Sequence, residues 1–251
     1  MEKYNSKIVN LSSKQRKNGS SNNFTLSIPP SAREFNSVVG IQMVSTSIPN
    51  TFYNINEYNN FFEYKYSALN TTGIVLLPIG QYEITPLLNA ISTQMTTDIG
   101  NSNITWSIDT LDFKVNVESD NESLSFTTDD PDKVPLLIAL GFEGSVIIGT
   151  SLTAKNIVDI AGPSTLYIIS RALSGSTSDY SELTNIVRCI GLDVNFGSIC
   201  HYSVEDSESG IIKFPNSRSM SNIDLSLRDR DNRILDLNGV DWDLLIRVYY
   251  L

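Results

Sequence analysis

The sequence holds one histidine, two cysteines and a charged fraction of 18% over 251 residues, where soluble domains average about 25%. A single imidazole, His201, cannot supply the several nitrogen ligands of a metal cupin or the usual donor set of a catalytic zinc. Cys189 and Cys200 provide neither a disulfide framework nor a four-cysteine zinc site and are read as free buried thiols. No metal and no cofactor is expected. Long apolar runs are missing too. The opening MEKYNSKIVN has no apolar core of signal-peptide length, and Val134–Leu140 is far shorter than the about 20 residues that span a bilayer. The expected chain is soluble, has no transmembrane segment and is not secreted through a signal peptide. The Asn-x-Ser/Thr sites at Asn23, Asn70 and Asn121 then reflect composition.

Catalytic motifs are as scarce. There is no Gly-x-Ser-x-Gly elbow, no phosphate-binding Gly-x-x-x-x-Gly-Lys loop and no Gly-x-Gly-x-x-Gly fingerprint after a strand. Cys200 and His201 are adjacent, but neighbours in a strand point to opposite faces, so they do not form a dyad. Asp229-Arg230-Asp231 opens like an EF-hand loop, yet Arg233 and Ile234 stand where an oxygen ligand and glycine are required. Acidic runs at Asp129, Asp130 and Asp132, and at Glu205, Asp206 and Glu208, could form a calcium site or a glycosidase pair. They read more simply as solvated loops. No catalytic residue is assigned, and an enzyme is not expected.

The net charge is −10, which disfavours a general phosphate-binding surface. It is uneven: Lys3, Lys7, Lys14, Arg16, Lys17 and Arg33 against Glu2 give residues 1–33 a net of +5, leaving −15 on the rest. Residues 1–36 are read as a basic amino-terminal arm with the first strand. In it Lys14, Arg16 and Lys17 sit among Ser, Asn and Gly. Such an arm can lie on an acidic partner, reach packaged nucleic acid, fold onto its own or a neighbouring subunit, or remain a solvated tail.

Residues 37–251 read as one β-rich domain. Short β-branched or alternating segments recur at Phe24–Ile28, Val38–Ile48, Phe61–Leu69, Ile74–Leu77, Ile104–Ile108, Phe113–Val117 and Leu124–Thr128. They continue at Leu166–Ser170, Ile186–Val194, Ser198–Val204, Ile211–Phe214, Ile223–Arg228, Arg233–Leu237 and Leu244–Tyr250. A turn at Asp229–Asn232 joins two of these as a hairpin, because Asp and Asn tolerate the left-handed backbone of tight turns. Two helices are expected. One has Thr85 as cap, Pro86 in the first turn and the stripe Leu87, Leu88, Ile91, Met95 and Ile99 ending at Gly100; the other spans Pro135–Leu140 before Gly141. The aromatic stretch Tyr53, Tyr58, Phe61, Phe62, Tyr64 and Tyr66 suits a packed strand pair or a subunit contact better than a carbohydrate platform.

Several segments together are familiar. SSKQRKNGSSNNFTLSIP, VVGIQMVSTSIPNTFYNIN and LPIGQYEITPLLNAI, then GPSTLYIISRALS, NIVRCIGLDVNFGSICHY, IIKFPNSRSMSNIDLSLRDRDNRILDLNGVDW and LLIRVYYL resemble, in order, the penton and related minor capsid proteins of large icosahedral DNA viruses and their virophages. The resemblance implies an antiparallel jelly-roll β-sandwich, here with one or two short helices. The strands counted exceed those of a single jelly roll, so the additional strands would form an inserted or a flanking sheet, an insertion in the first half being one option. It implies a structural protein of the virion capsid, assembled in the infected cell. Five copies would close a vertex as a homopentamer among trimers of the major capsid protein, beside other minor capsid proteins. Nucleic acid would be reached only through the arm, by Lys14, Arg16 and Lys17. Tyr53, Tyr58, Phe61, Tyr64 and the Trp242 strand are the expected packing or subunit-contact elements. The alternatives are another minor capsid role, a jelly-roll carbohydrate- or receptor-binding module, and a carboxylate-pair hydrolase.

Overall fold

The computed structural model describes residues 4–66, 71–100, 104–120, 123–126, 133–143, 147–175, 183–204 and 210–251. Asn70, Asn121 and both acidic runs, Asp129–Asp132 and Glu205–Glu208, lie outside the described residues. The chain forms two compact units, Met1–Phe52 with Pro163–Leu251, and Tyr53–Gly162. No helix among the described residues is long and apolar enough to cross a membrane.

The first unit is a two-sheet sandwich. Its strands are β1 (Asn5–Ser12), β2 (Asn18–Ser20), β3 (Asn23–Ser27), β4 (Val38–Pro49), β12 (Thr165–Ile169), β13 (Ile186–Gly191), β14 (Ile199–Ser203), β15 (Ile211–Arg218), β16 (Asn222–Arg228) and β17 (Asp243–Tyr250). One sheet runs β1-β17-β4, with β14 paired to the second half of β4 and β15 to its first half; the other runs β13-β12-β16-β3-β2, and every pairing is antiparallel. With β2 and β15 set aside, the eight remaining strands in chain order lie 1-8-3-6 in one sheet and 2-7-4-5 in the other. This is the connectivity of a jelly roll, two interlocked Greek keys.

The sandwich buries one core. Phe24, Leu26, Leu166, Ile168, Ile223, Leu225 and Leu227 come from one sheet and Ile41, Met43, Ile48, Leu244, Ile246 and Val248 from the other. Strand β4 reads VVGIQMVSTSIP, which is not a clean alternation. Its pairing with β17 shifts register at Leu245/Ile246 and again at Tyr249/Tyr250. Each bulge adds a residue and resets which parity faces inward, so Val38, Ile41, Met43 and Ile48 all reach the core.

Two expectations change here. Residues 4–27 are not an arm outside the jelly roll: β1 pairs with β17 over all eight residues, and β3 pairs with β16. The pattern NSKIVNLS hides this because an edge strand needs few apolar residues, here the partly buried Val9 and buried Leu11. Arg233–Leu237 is not a ladder strand. After Asn232, at φ +62°, the returning chain makes a single bridge, Arg228 to Ile234, flanked by the bonds from Leu235 N–H to Leu227 C=O and from Asp229 N–H to Arg233 C=O. The consecutive left-handed residues Asn238 and Gly239, at φ +52° and +78°, then redirect it.

The second unit has seven strands and two helices among its described residues: β5 (Phe61–Tyr66), β6 (Thr71–Leu76), α1 (Ile84–Ile99), β7 (Ile104–Ile108), β8 (Val115–Ser119), β9 (Leu124–Phe126), α2 (Pro135–Ala139), β10 (Ile147–Gly149) and β11 (Ser151–Thr153). The sheets are β10-β9-β5-β6 and β11-β8-β7. Only Thr150 separates β10 from β11, so the chain steps from one sheet straight into the other.

The remaining edges, β6 and β7, are bridged by α1. Gln94 Nε2 donates to Ile74 C=O and Gln94 Oε1 accepts from Leu76 N–H on β6, both at 3.2 Å. On β7, Trp106 N–H donates to Ser92 Oγ at 3.0 Å and Ile104 N–H to Thr96 Oγ1 at 3.3 Å. Helix side chains thus stand in for a neighbouring strand at two edges that would otherwise invite pairing.

Helix α1 is longer than the short helices expected, and it starts one residue before Thr85, with Glu83 as N-cap. Pro86 still falls in the first turn, where its missing N–H has no intrahelical partner. The buried stripe is Leu87, Leu88, Ile91, Met95 and Ile99, and Gly100 closes it at φ +77°. The stripe packs into a core with Phe62, Trp106, Phe126 and Phe142.

Candidate functional site

The three basic residues of the supposed arm lie on the turn after β1. Ser13 is fully buried; its N–H donates to Trp242 C=O at 3.0 Å, and its hydroxyl donates to Asp241 Oδ1 at 2.7 Å while accepting from Trp242 N–H at 3.0 Å. Arg16 Nη1 donates to the same Asp241 oxygen at 2.7 Å and to Ser13 C=O at 2.8 Å. Arg16 is therefore held by its own chain, while the side chains of Lys14 and Lys17 stay exposed. On the preceding strand Lys7 pairs with Glu34 at 2.6 Å.

The Ser13 hydroxyl, with Arg16 beside it, holds the Asp241 carboxyl below its ordinary value. A depressed folded value gives stability that is present above the unfolded carboxylate range and is lost as pH falls through the folded value. Urea titrations from about pH 7 to about pH 3 should show Asp241→Asn losing less stability than the parent chain. Equal losses would remove Asp241 from the acid limb.

Trp242 and Tyr64 are both 2% exposed. The Trp242 indole N–H donates to Ser21 C=O at 2.7 Å and its ring meets Phe24 edge-on at 5.9 Å. Tyr64 lies over Gly73, its cross-strand partner, where a Cβ would come within 2.3 Å of the ring. Burial, with Asp98 3.4 Å from the hydroxyl, pushes the Tyr64 phenol up to about 12. These two residues hold their units together from inside. In the same stretch Phe61 and Tyr53 are half-buried, and Tyr58 is exposed. The loop before β5 is organised by asparagines: Asn54 donates to Tyr82 C=O and Ile160 C=O and accepts from Tyr82 N–H, each within 2.9 Å.

The exposed apolar groups lie elsewhere. In the second unit Leu111 is 91%, Phe113 60% and Ile157 61% exposed. Leu111 and Phe113 occupy the β7–β8 turn, braced by Asp109 Oδ1 on Leu111 N–H and Asp112 Oδ1 on Lys114 N–H. Phe113, expected to begin a strand, stands instead at φ +56°, a backbone region that bulky side chains rarely occupy. In DTLDFK, Leu111 between two aspartates and Phe113 between Asp112 and Lys114 were the available signal of a turn that presents them. In the first unit Phe196 and Ile199 flank the start of β14, and Ile8 projects from β1.

Cys200 is buried and His201 exposed on β14, with the imidazole Nδ1 2.9 Å from Ser47 Oγ. The two side chains take opposite faces of the strand. Cys189, expected to be buried, is exposed on β13.

Comparison with curated proteins finds no match. Among solved structures, the selenomethionine-labelled mavirus penton protein aligns with 98% of this chain and 100% of its own, at a TM-score of 0.49 and 11% identity. A family model described as a family of unknown function, DUF5901, matches residues 3–183, a span holding the first four jelly-roll strands and the whole of the second unit. The chain belongs to that family of unknown function, DUF5901.

Proposed function

We propose that this chain is a structural protein of a viral capsid, and within the capsid the penton subunit, closing each vertex as a homopentamer against trimers of the major capsid protein. The observation that carries the reading is the 1-8-3-6 and 2-7-4-5 jelly roll with an entire β unit inserted between its third and fourth strands. Jelly rolls serve viral shells, lectins and cupins. The lone histidine leaves a metal cupin without ligands, and the ordered segment resemblance favours the shell over the lectin.

A five-fold ring needs a heterologous contact, one face of each subunit against a different face of the next. Such contacts centre on apolar and aromatic groups that are exposed before assembly. Ile8, Phe196, Ile199, Tyr58, Leu111 and Phe113 meet that condition, whereas the buried Tyr64 and Trp242 act as packing anchors. Lys14 and Lys17 are free to meet an acidic neighbour or packaged nucleic acid.

Light scattering after size exclusion, repeated across salt and concentration, tests the ring. Five 27.8-kDa chains make 139 kDa, and that mass with five-fold rings in electron micrographs is the expected result. A stable dimer or trimer would overturn the penton reading. If the chain is a monomer, immunogold labelling of particles decides, and label away from the vertices overturns the reading.

A further inference from the structure

The solvent face of the β13-β12-β16-β3-β2 sheet carries a polar cleft of about 580 Å³. Strand β16 makes its floor: Ile223, Leu225 and Leu227 enter the core, leaving Asp224, Ser226 and Arg228 outward, opposite Thr25 and Asn23 of β3. Arg228 is held in place before any ligand arrives. Its Nε donates to Ser226 Oγ at 3.4 Å and its Nη1 to Asn232 C=O at 2.7 Å and Asn232 Oδ1 at 3.0 Å. None of these acceptors is charged, and among the described residues Arg228 has no carboxylate partner. Asp224 accepts the N–H groups of Arg171 and Ala172, both at 3.0 Å, with the Arg171 guanidinium at 3.7 Å.

The cleft therefore presents the held guanidinium of Arg228, the exposed guanidinium of Arg171 and one carboxylate, a local +1 on a chain of −10. Holding Arg228 in advance lowers the ordering cost of binding an anion. The lining is too polar for an apolar ligand. Among the described residues its one aromatic, Phe24, is buried in the core, so the described lining offers no exposed ring on which a nucleobase could stack. Asp224 keeps lone pairs for hydroxyl donors, and Asn23 and Thr25 can both donate and accept. A hydroxyl-rich ligand with one anionic group fits this set.

We propose that the cleft binds an acidic saccharide, its carboxylate on Arg228 and its hydroxyls on Asp224, Asn23 and Thr25. This does not rest on the capsid reading and holds for a ring or a single subunit.

The test is titration calorimetry with ligand-observed NMR on the full chain. Sialyllactose and a glucuronate-containing disaccharide are the acidic probes, with lactose and inorganic phosphate as controls. At least one acidic probe should bind about tenfold or more tightly than lactose, and Arg228→Gln should weaken it at least about tenfold. Thr25→Leu, which fills the cleft without adding charge and removes a hydroxyl partner, should do the same, while Arg233→Gln, outside the lining, should leave binding unchanged. Circular dichroism checks each variant's fold. Binding of neither acidic probe overturns the proposal, as does equal affinity for lactose. So does phosphate binding as tightly as the saccharide, which would mark a simple anion site, or an unaltered affinity in both cleft variants.

Discussion

Replacing Trp242 with alanine is expected to cost the jelly-roll unit about 3–5 kcal/mol, the usual range for emptying a buried aromatic site. The residue is 2% exposed, packs edge-on against Phe24 and donates its indole N–H to Ser21 C=O. Losing the side chain opens a cavity beside Phe24 and leaves the Ser21 carbonyl, itself nearly buried, without that donor. Trp242→Phe separates the two effects. It keeps an aromatic ring and loses the hydrogen bond, so it should cost about 1–3 kcal/mol, the penalty of an unpaired buried acceptor. Urea unfolding followed by circular dichroism reads both variants. An alanine variant within about 1 kcal/mol of the parent would show that this site collapses without a cavity and that Trp242 is no anchor.

Phe126→Ala is expected to cost the second unit about 3–5 kcal/mol as well. Phe126 is fully buried at the centre of an aromatic group, with ring centroids 5.9 Å from Phe62 and Trp106 and 5.8 Å from Phe142. Edge-to-face and tilted pairs at such spacings add about 0.5–1.5 kcal/mol each beyond burial. Phe126→Leu keeps most of the volume and should cost less than the alanine change. The protein carries its own reporters, since the two tryptophans fall one in each unit, Trp106 in the second and Trp242 in the first. The Trp106 emission of a Trp242→Phe background should therefore track the Phe126 variants. An unshifted Trp106 transition would contradict a shared aromatic core.

Local chemistry made much of this fold readable in advance. The α1 stripe from Leu87 to Ile99 and its left-handed Gly100 follow from period and capping alone. So does the Asp229–Asn232 turn, where Arg233 N–H meets Asp229 Oδ1 at 2.8 Å. Strand Ile104–Ile108 has the bounds its alternation predicts. Short strands were harder. The segments β2, β10 and β11 have three residues each, too few for a period to register. Strand β1 was masked by its charge, because Lys7 reads as a solvated arm until Glu34, 27 residues away, stands beside it.

The sequence by itself determined the all-β class, the two helices and the poverty of catalytic donors, since these depend on composition and on patterns within about ten residues. Tertiary structure alone decided where those elements went. It took Arg16 from a free arm to Asp241, 225 residues on, and put Gln94, Ser92 and Thr96 on two sheet edges. It also gathered Arg171, Asp224 and Arg228 around one cleft and turned Leu111 and Phe113 outward. The physical reason is range: propensity and alternation act between near neighbours, whereas a site is made by strands that meet only after the sheets have closed.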